Sequence, residues 1–310
     1  MTITQLEYVL AVNKFRHFGR AAKFCHVTQP TLSMQLQKLE DELEVIIFDR
    51  SKNPILPTME GEKIIKQAQV VLNEHKKIFD IIQMAGDDLS GDFKVGVIPT
   101  LAPYLLPIFA AQFAKKYPNV NLQIEELTTD EILESLDKDD LDVGLLVTPL
   151  HVDSLIERVL FYEPFYLFVS TEHELSKKKK VKETDLTTDE LWLLKEGHCF
   201  RSQVLNLCRK NPKNRKIIPN LQFESGNLET LKKMVVNSSG YTLLPFLDVR
   251  EFSTSKKKYL REFTSPVPTR EVSLVYGRSF LKEKIIDALE VEILSALPKE
   301  LDSHKKVSKN

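Results

Sequence analysis

Residues 198–208 read HCFRSQVLNLC: a histidine, a cysteine, an arginine two positions on, and a second cysteine nine positions after the first. The third of the chain's 3 cysteines is Cys25. A positive or hydrogen-bonding neighbour favours the thiolate, the nucleophilic form of the side chain. His198 and Arg201 are the neighbours that could do this for Cys199. Attack of a thiolate on one peroxide oxygen leaves a sulfenic acid, with which a second thiol condenses to a disulfide. Cys208 could be that second thiol, and exchange with a cellular reductant would reset the pair. A regular helix over 199–208 would separate the two residues by about 13 Å of rise. A disulfide needs alpha carbons within about 7 Å. Joining them would then force a rearrangement. Two other readings stay open. Cys208, beside Leu207, could be a packed core thiol with His198 on the surface. A metal could be held by His198, Cys199 and Cys208, although zinc normally takes four ligands at tighter spacing. Cys25 reads as a buried, inert thiol.

Such residues need a scaffold, and beyond residue 89 the chain alternates strand and helix. FKVGVI, NLQIEEL, LDVGLLV, FYLFVS, YTLLPF and REVSLVYG read as strands. LAPYLLPIFAAQFAKKY, TDEILESLDKDD, GNLETLKKMVVNSSG and SFLKEKIIDALEVEILSALPKEL read as helices. The alternation predicts an α/β fold with mostly parallel sheets. It also predicts two lobes, the chain crossing near 162–166 and returning near 266–270. Thr100, after the first of these strands, reads on its own as a helix cap. Upstream, residues 59–85 form a long amphipathic helix with Ile64, Ile65, Ala68, Val71, Leu72, Ile78 and Ile81 and no obvious core of its own to cover. A partner helix in a dimer would bury that stripe. GDDLSGD, 86–92, ends it, and the tail DSHKKVSKN reads as frayed.

The N-terminal segment has a different style. TQLEYVLAVNKF carries Leu6, Val9, Leu10 and Val12 at helical spacing, with Thr4 as the expected cap and Glu7 three positions on. GRAAKFC allows close helix contact, and HVTQP reads as a turn. Thr28 is placed to cap TQPTLSMQLQKLEDEL, with Pro30 tolerated in its first turn. Leu32, Leu36, Leu39 and Leu43 form its apolar stripe; Thr31, Ser33, Gln35 and Lys38 form the other face. Met34 and Leu36 could equally be core. FDRSKNPILPT reads as two short extended pieces around a turn, a small wing. Through residue 38, Lys14, Arg16, Arg20, Lys23 and Lys38 face a single acid, Glu7. The following EDELE would face away from that positive surface. A helix pair of this kind fits a helix-turn-helix whose second helix enters the major groove. A helical packing domain with a solvated outer face is the other reading. The net charge of −1 decides nothing about nucleic acid, because a basic face can hide in a neutral total. No apolar run is long enough to cross a membrane, and the first residues do not read as a signal peptide. A cytoplasmic, reducing location is expected, where structural disulfides are rare.

AAKFCHVTQPTLSMQLQKLEDELEVIIFDR, with the later LPTMEG, resembles the winged helix-turn-helix of LysR-type transcriptional regulators. The likeness rests on the Ala-Ala pair, the Gln-Pro-Thr-Leu-Ser box, the Leu-Glu run and the Phe-x-Arg before the wing. It implies a fold class: a winged helix-turn-helix over 1–58, a linker and dimerisation helix over 59–88, and a two-lobed α/β regulatory domain, periplasmic-binding-protein-like, over 89–310. Lobe I would take 89–163 and 269–300, and lobe II 164–268. The family implies Thr28, Gln29, Pro30, Thr31 and Ser33 at or near DNA, with Gln29 and Thr31 reading bases and Ser33 and Lys38 touching phosphate.

LEYVLAVNKFRHFGRAAKFCHVTQPTLS, VGVIPTLAPYLLP, LLKEGHCFRSQVLNLC, NLETLKKMV and GYTLLP narrow the resemblance to the peroxide-sensing members of that family, from residue 1 to near 295. These imply a reversible Cys199–Cys208 disulfide and a site for hydrogen peroxide at Thr100, Thr129, His198, Arg201 and Arg270. They imply control of oxidative-stress genes as an activator. They also imply double-stranded promoter DNA, RNA polymerase and a thiol reductant such as glutaredoxin as partners, and a homo-oligomer, a dimer of dimers. No enzymatic activity, cofactor, metal or membrane is implied. The alternative within the family is a regulator whose small organic effector binds between the lobes. A thiol peroxidase or a periplasmic solute binder would be a different class, and the chain fits neither. The sequence departs from the family pattern at Glu44, where glycine is usual, and at Gln37, where arginine is common. The wing is less basic than most, and 207–220 is richly basic.

Overall fold

The computed structural model describes the chain apart from residues 85–88, 189, 198, 209–222, 278–281 and 305–310. Two expectations, the role of His198 and that of the basic 209–216 segment, lie outside the described residues. The chain divides into two compact units, Met1–Asp87 and Asp88–Asn310.

The first unit holds α1 (Ile3–Phe15), α2 (Phe18–Phe24), α3 (Gln29–Leu43), a two-stranded wing of β1 (Phe48–Asp49) and β2 (Leu56–Pro57), and α4 (Met59–Met84). The cap of α1 is Thr2, not Thr4. The Thr2 hydroxyl accepts from the Gln5 N–H at 3.2 Å, and the Gln5 side chain accepts from the Thr2 N–H at 2.9 Å. This reciprocal box starts the helix two residues early and brings Ile3 onto the core. Leu32, Leu36 and Leu39 of α3 pack with Leu6, Val9, Val12, Ala21 and Ala22. The expectation that α4 has no core of its own is corrected: Ile65, Ala68 and Leu72 close this same core. Gly61 is needed for that approach, because a Cβ there would collide with the Ile47 carbonyl oxygen. The Thr58 hydroxyl donates to the Ile46 carbonyl at 2.6 Å and accepts from the Gly61 N–H at 2.9 Å, which accounts for the LPTMEG motif.

The second unit runs β3 (Gly91–Val97), α5 (Ala102–Lys116), β4 (Val120–Glu126), α6 (Thr129–Asp137), β5 (Val143–Thr148), β6 (Leu155–Val169), β7 (Lys180–Val181), α7 (Cys199–Leu207) and α8 (Leu228–Asn237). It continues with β8 (Tyr241–Pro245), α9 (Phe246–Val249), α10 (Thr254–Lys257), β9 (Leu260–Phe263), β10 (Thr269–Gly277) and α11 (Glu283–Ala296). The sheet order is β4-β3-β5-β10-β6-β9-β7, with β8 also against β6. The expectation of mostly parallel sheets is corrected. Among the named strands, parallel pairing joins β3 with β4 and β5, and β7 with β9; two isolated bridges, Leu191 with Tyr241 and Leu194 with Ser225, are also parallel. The remaining pairs are antiparallel. The cause is the double crossing: the chain leaves lobe I on β6 and returns on β10, so these strands run in opposite directions side by side.

Each lobe has its own apolar core. Lobe I buries Phe93, Val95, Leu105, Phe109, Leu274 and Ile286. Lobe II buries Phe165, Phe168, Trp192, Phe200, Leu231 and Tyr241. A polar tie also joins them. Lys232 pairs with Asp248 and Glu229 in lobe II, and the Tyr104 hydroxyl of lobe I donates to Glu229 at 3.5 Å.

Candidate redox site and nucleic-acid interface

Cys199 is the first residue of α7, and the helical bonding reaches Cys208, whose N–H donates to the Val204 carbonyl at 3.1 Å. Both thiols are free. They sit at opposite ends of one helix, separated by a rise of about 13 Å, and they belong to different cores. Cys199 packs against the lobe I core, whereas Phe200, Val204 and Cys208 are part of the lobe II core. One ion could not take both sulfurs, so a shared metal is not a reading this geometry allows.

Beside Cys199 lies a small, tight pocket lined by Ile98, Pro99, Thr100, Thr128, Thr129, Gly197, Cys199 and Phe200. The ends of two parallel strands build it. β3 delivers Ile98, Pro99 and Thr100, and β4 leads into α6. Thr128 caps α6 in a reciprocal box with Glu131, which makes Thr129 the first helical residue. Thr129 is 9% exposed. Its hydroxyl lies within hydrogen-bonding reach of the Cys199 sulfur but completes no well-formed bond among the described residues. A buried hydroxyl with unused capacity is costly unless a guest satisfies it.

Thr100 is not a helix cap. That position before α5 belongs to Leu101, which makes no side-chain cap bond. The threonine is gripped by Arg270 of β10 instead. Arg270 Nη1 donates to the Thr100 hydroxyl at 3.0 Å and Nη2 to its carbonyl at 3.1 Å. The guanidinium also lies over the Phe200 ring, 5.6 Å from its centroid. On its other side, Arg270 Nε donates to Glu163 Oε2 at 2.8 Å, and Nη2 pairs with the same oxygen at 2.8 Å. Glu163 Oε1 accepts from the Leu247 N–H at 2.7 Å. Sequence reading passed over Glu163; its only signal was a lone acid in the apolar run FYEPFY.

Thr100, Thr129, Cys199 and Arg270 thus come together, and Arg201 does not join them. Its Nη1 donates to the Leu194 carbonyl at 2.8 Å and pairs with Glu224 at 3.0 Å. Among the described residues, the cation that acts on Cys199 is Arg270. Burial raises the Cys199 thiol above its ordinary range, outweighing the Thr129 hydroxyl and the Arg270 charge, which act to lower it. Burial alone pushes the Cys208 thiol up to about 12.

In the first unit Thr28 is the cap of α3. Its hydroxyl accepts from the Thr31 N–H at 3.4 Å and shares a 2.8 Å hydrogen bond with the Thr31 hydroxyl. Thr28, Gln29, Pro30 and Lys38 are exposed, and Thr31 and Ser33 half-buried. The ambiguity between Met34 and Leu36 resolves: Leu36 is core, and Met34 is 52% exposed on the outer face. The Gln37 side chain is held by Asp41 at 2.9 Å. The acidic run does not all face away. Glu40 is buried, and its Oε1 accepts from the N–H groups of Ile47 (2.7 Å) and Phe48 (3.2 Å). Its Oε2 pairs with Arg50 at 2.7 Å. This clasp ties α3 to the wing and accounts for the Leu-Glu and Phe-x-Arg motifs together. Cys25 ends α2, half-buried, its thiol raised by burial and by Glu7.

Residues 3–62 match the bacterial regulatory helix-turn-helix protein, lysR family, and residues 86–290 match the LysR substrate binding domain. A hydrogen peroxide-inducible genes activator from Pectobacterium carotovorum is 37% identical over 277 residues, covering 89% of this chain and 90% of that protein. The chain belongs to the LysR family of transcriptional regulators and is of its OxyR type. Among solved structures, a full-length Pseudomonas aeruginosa OxyR with a cysteine-to-aspartate change superposes with TM-score 0.74 at 36% identity, covering 95% of this chain and 98% of that one. A hydrogen-peroxide-bound cysteine-to-serine mutant of Corynebacterium glutamicum OxyR superposes with TM-score 0.63 at 28% identity, covering 95% and 92%. The expected architecture, a helix-turn-helix joined through a helix to a two-lobed α/β domain, is the one found. Among the described residues, no helix is long and apolar enough to cross a membrane.

Proposed function

We propose that this DNA-binding, peroxide-sensing regulator uses Cys199 as its sensing thiol and Cys208 as the resolving thiol. The observation that carries this reading is the buried Thr129 hydroxyl beside Cys199 at a small pocket, within reach of the sulfur and with no well-formed hydrogen bond among the described residues. Thr100, Thr129 and Arg270, with His198, hold hydrogen peroxide there. The Cys199 sulfur attacks one oxygen, the O–O bond breaks, and the departing hydroxide is protonated to water. Cys199 is left as a sulfenic acid. The Cys208 sulfur then displaces that hydroxyl as a second water, and the two sulfurs are joined. Because they start at opposite ends of α7, the helix must unwind and Cys208 must leave the lobe II core. That change shifts the populations of two packings, and the DNA footprint follows. Two thiols of a cytoplasmic reductant such as glutaredoxin return the pair to its starting state.

The pocket's size favours this over an organic effector. The space between Thr100, Thr129 and Cys199 is tightly closed by their own side chains, far short of the roughly 300–1,000 Å³ of pockets that take organic ligands. At the promoter Gln29 and Thr31 read bases, Ser33 and Lys38 touch phosphate, and Thr28 and Pro30 lie at or near the DNA surface, with activation of oxidative-stress genes proceeding through RNA polymerase. Footprints of reduced and peroxide-treated protein at fixed salt test the assignment. The wild-type footprint should change, and that of Cys199→Ser should not; a peroxide-dependent change in Cys199→Ser would refute it.

The working state in this reading is a dimer of dimers. Ile64, Val71 and Ile78 recur at sevenfold spacing along α4 beside the stripe its own core covers, and Ile78 is 56% exposed. Ile78→Glu should lower the mass in sedimentation at micromolar protein and leave the Cys199 oxidation rate unchanged. An unaltered mass would move the dimer contact off this helix.

A further inference from the structure

We propose that Glu163 is a positioning residue for peroxide capture, acting through Arg270 to aim the Thr100 hydroxyl at the guest. The inference rests on the reading that Cys199 is the peroxide-reactive thiol. Glu163 of β6 stands directly opposite Arg270 of β10 in the antiparallel register, and it is 0% exposed. Its Oε2 takes the Nε and Nη2 edge of the guanidinium, at 2.8 Å to each. A planar guanidinium held along one edge presents its remaining donors in fixed directions. Those donors go to the Thr100 hydroxyl and carbonyl oxygens.

The donor–acceptor inventory sets the rest. Arginine can only donate, so the Thr100 hydroxyl must be the acceptor in its contact with Arg270. Its own hydrogen is not used in that bond, and the residue lines the pocket. Thr100 is therefore set to donate to a peroxide oxygen, the oxygen that becomes hydroxide as the O–O bond breaks. Glu163 Oε1 is anchored separately, by the Leu247 N–H at the start of α9. That helix has no side-chain cap of its own. The carboxylate is thus fixed from lobe II while it fixes a group that serves lobe I.

A residue that aims the pocket should separate two kinds of reactivity at Cys199. Iodoacetamide needs only the thiolate; peroxide also needs the Thr100 hydroxyl in place. Both rates would be measured by mass spectrometry on full-length protein carrying Cys208→Ser, with dimedone trapping the sulfenic acid. Glu163→Gln should lower the peroxide rate by about tenfold or more, as for other positioning groups, while the iodoacetamide rate at Cys199 holds or rises. It rises if Arg270, relieved of its counter-charge, acts more strongly on the sulfur. Equal loss of both rates would mean a structural role only, and an unchanged peroxide rate would mean no role; either overturns the proposal. If Glu163→Gln does not fold, Glu163→Asp, which keeps the charge but shortens the reach, must show the same split. A parent protein whose Cys199 ignores peroxide would instead overturn the assignment of the sensing thiol itself.

Discussion

Cys199 is held above the ordinary thiol range by burial, even with the Thr129 hydroxyl and the Arg270 charge working the other way. Burial thus favours the protonated sulfur at neutral pH, and in the proposed mechanism peroxide meets a thiol that ionises within the pocket. The sign follows directly: a raised acid constant means that thiolate accumulates only as pH climbs. The iodoacetamide rate at Cys199 should rise with pH and show no plateau below the ordinary thiol value of 9.0. A plateau near neutral pH would contradict the burial argument. Cys208, pushed up to about 12, should stay unreactive until α7 opens. Its protonated form stabilises the reduced fold fully below pH 9.0, and that contribution is lost between there and about 12. At this scale the cysteine pair and its neighbours were visible in the sequence, because their spacing is local. Thr100, Thr129 and Arg270 were reachable only through family resemblance. Glu163 escaped notice and Glu40 was read as part of an outward-facing acidic run, because each looks like an ordinary acid until folding supplies its partners; Arg270 is 107 positions from Glu163.

The end of α3 shows what one departure from a family pattern does to an element. Glu44 terminates the helix with φ 53 and ψ 32, the left-handed region. A side chain there costs roughly 1–2 kcal/mol, which glycine avoids at some cost in unfolded-chain entropy. Glu44→Gly should accordingly stabilise the N-terminal unit by about 1 kcal/mol and raise its melting temperature by several degrees. A fall in melting temperature would mean that the glutamate makes a compensating contact. Elements with clean apolar spacing, such as β3, β5, α6 and α8, were legible in the sequence close to their observed limits. β6 was not. Its second half, FYLFVS, read as a strand, but Glu157, Arg158 and Glu163 broke the pattern of the first half. Those charges find partners across the sheet and on α11, where Arg158 pairs with Asp287 and Glu290. The lysine run before β7 has an element-scale explanation as well. β7 is the last strand in the sheet order, and exposed Lys177, Lys178, Lys179 and Lys180 guard an open edge against pairing with another chain.

For the whole regulatory unit, the decisive relation is that one helix is shared by two cores. In the proposed mechanism, oxidation withdraws Cys208 from the lobe II core, and Val204 leaves with it if α7 unwinds. On that reading, the packing of Val204 and Cys208 in lobe II stabilises the reduced state alone. Val204→Ala should weaken it by roughly 1–2 kcal/mol. Since 1.4 kcal/mol corresponds to about 30 mV for a two-electron couple, the midpoint should move about 20–45 mV more negative. Trp192, the chain's 1 tryptophan, lies in the same core and offers a fluorescence readout for a glutathione-buffer titration. An unmoved midpoint would mean that Val204 stays buried in the oxidised state. The reach of this coupling goes beyond one substitution. A threshold written in aliphatic volume can be reset by trimming or adding a methyl group deep in one lobe, leaving the reacting atoms untouched. Descendants of one such regulator could so be tuned to harsher or milder oxidant exposure while their chemistry stands still.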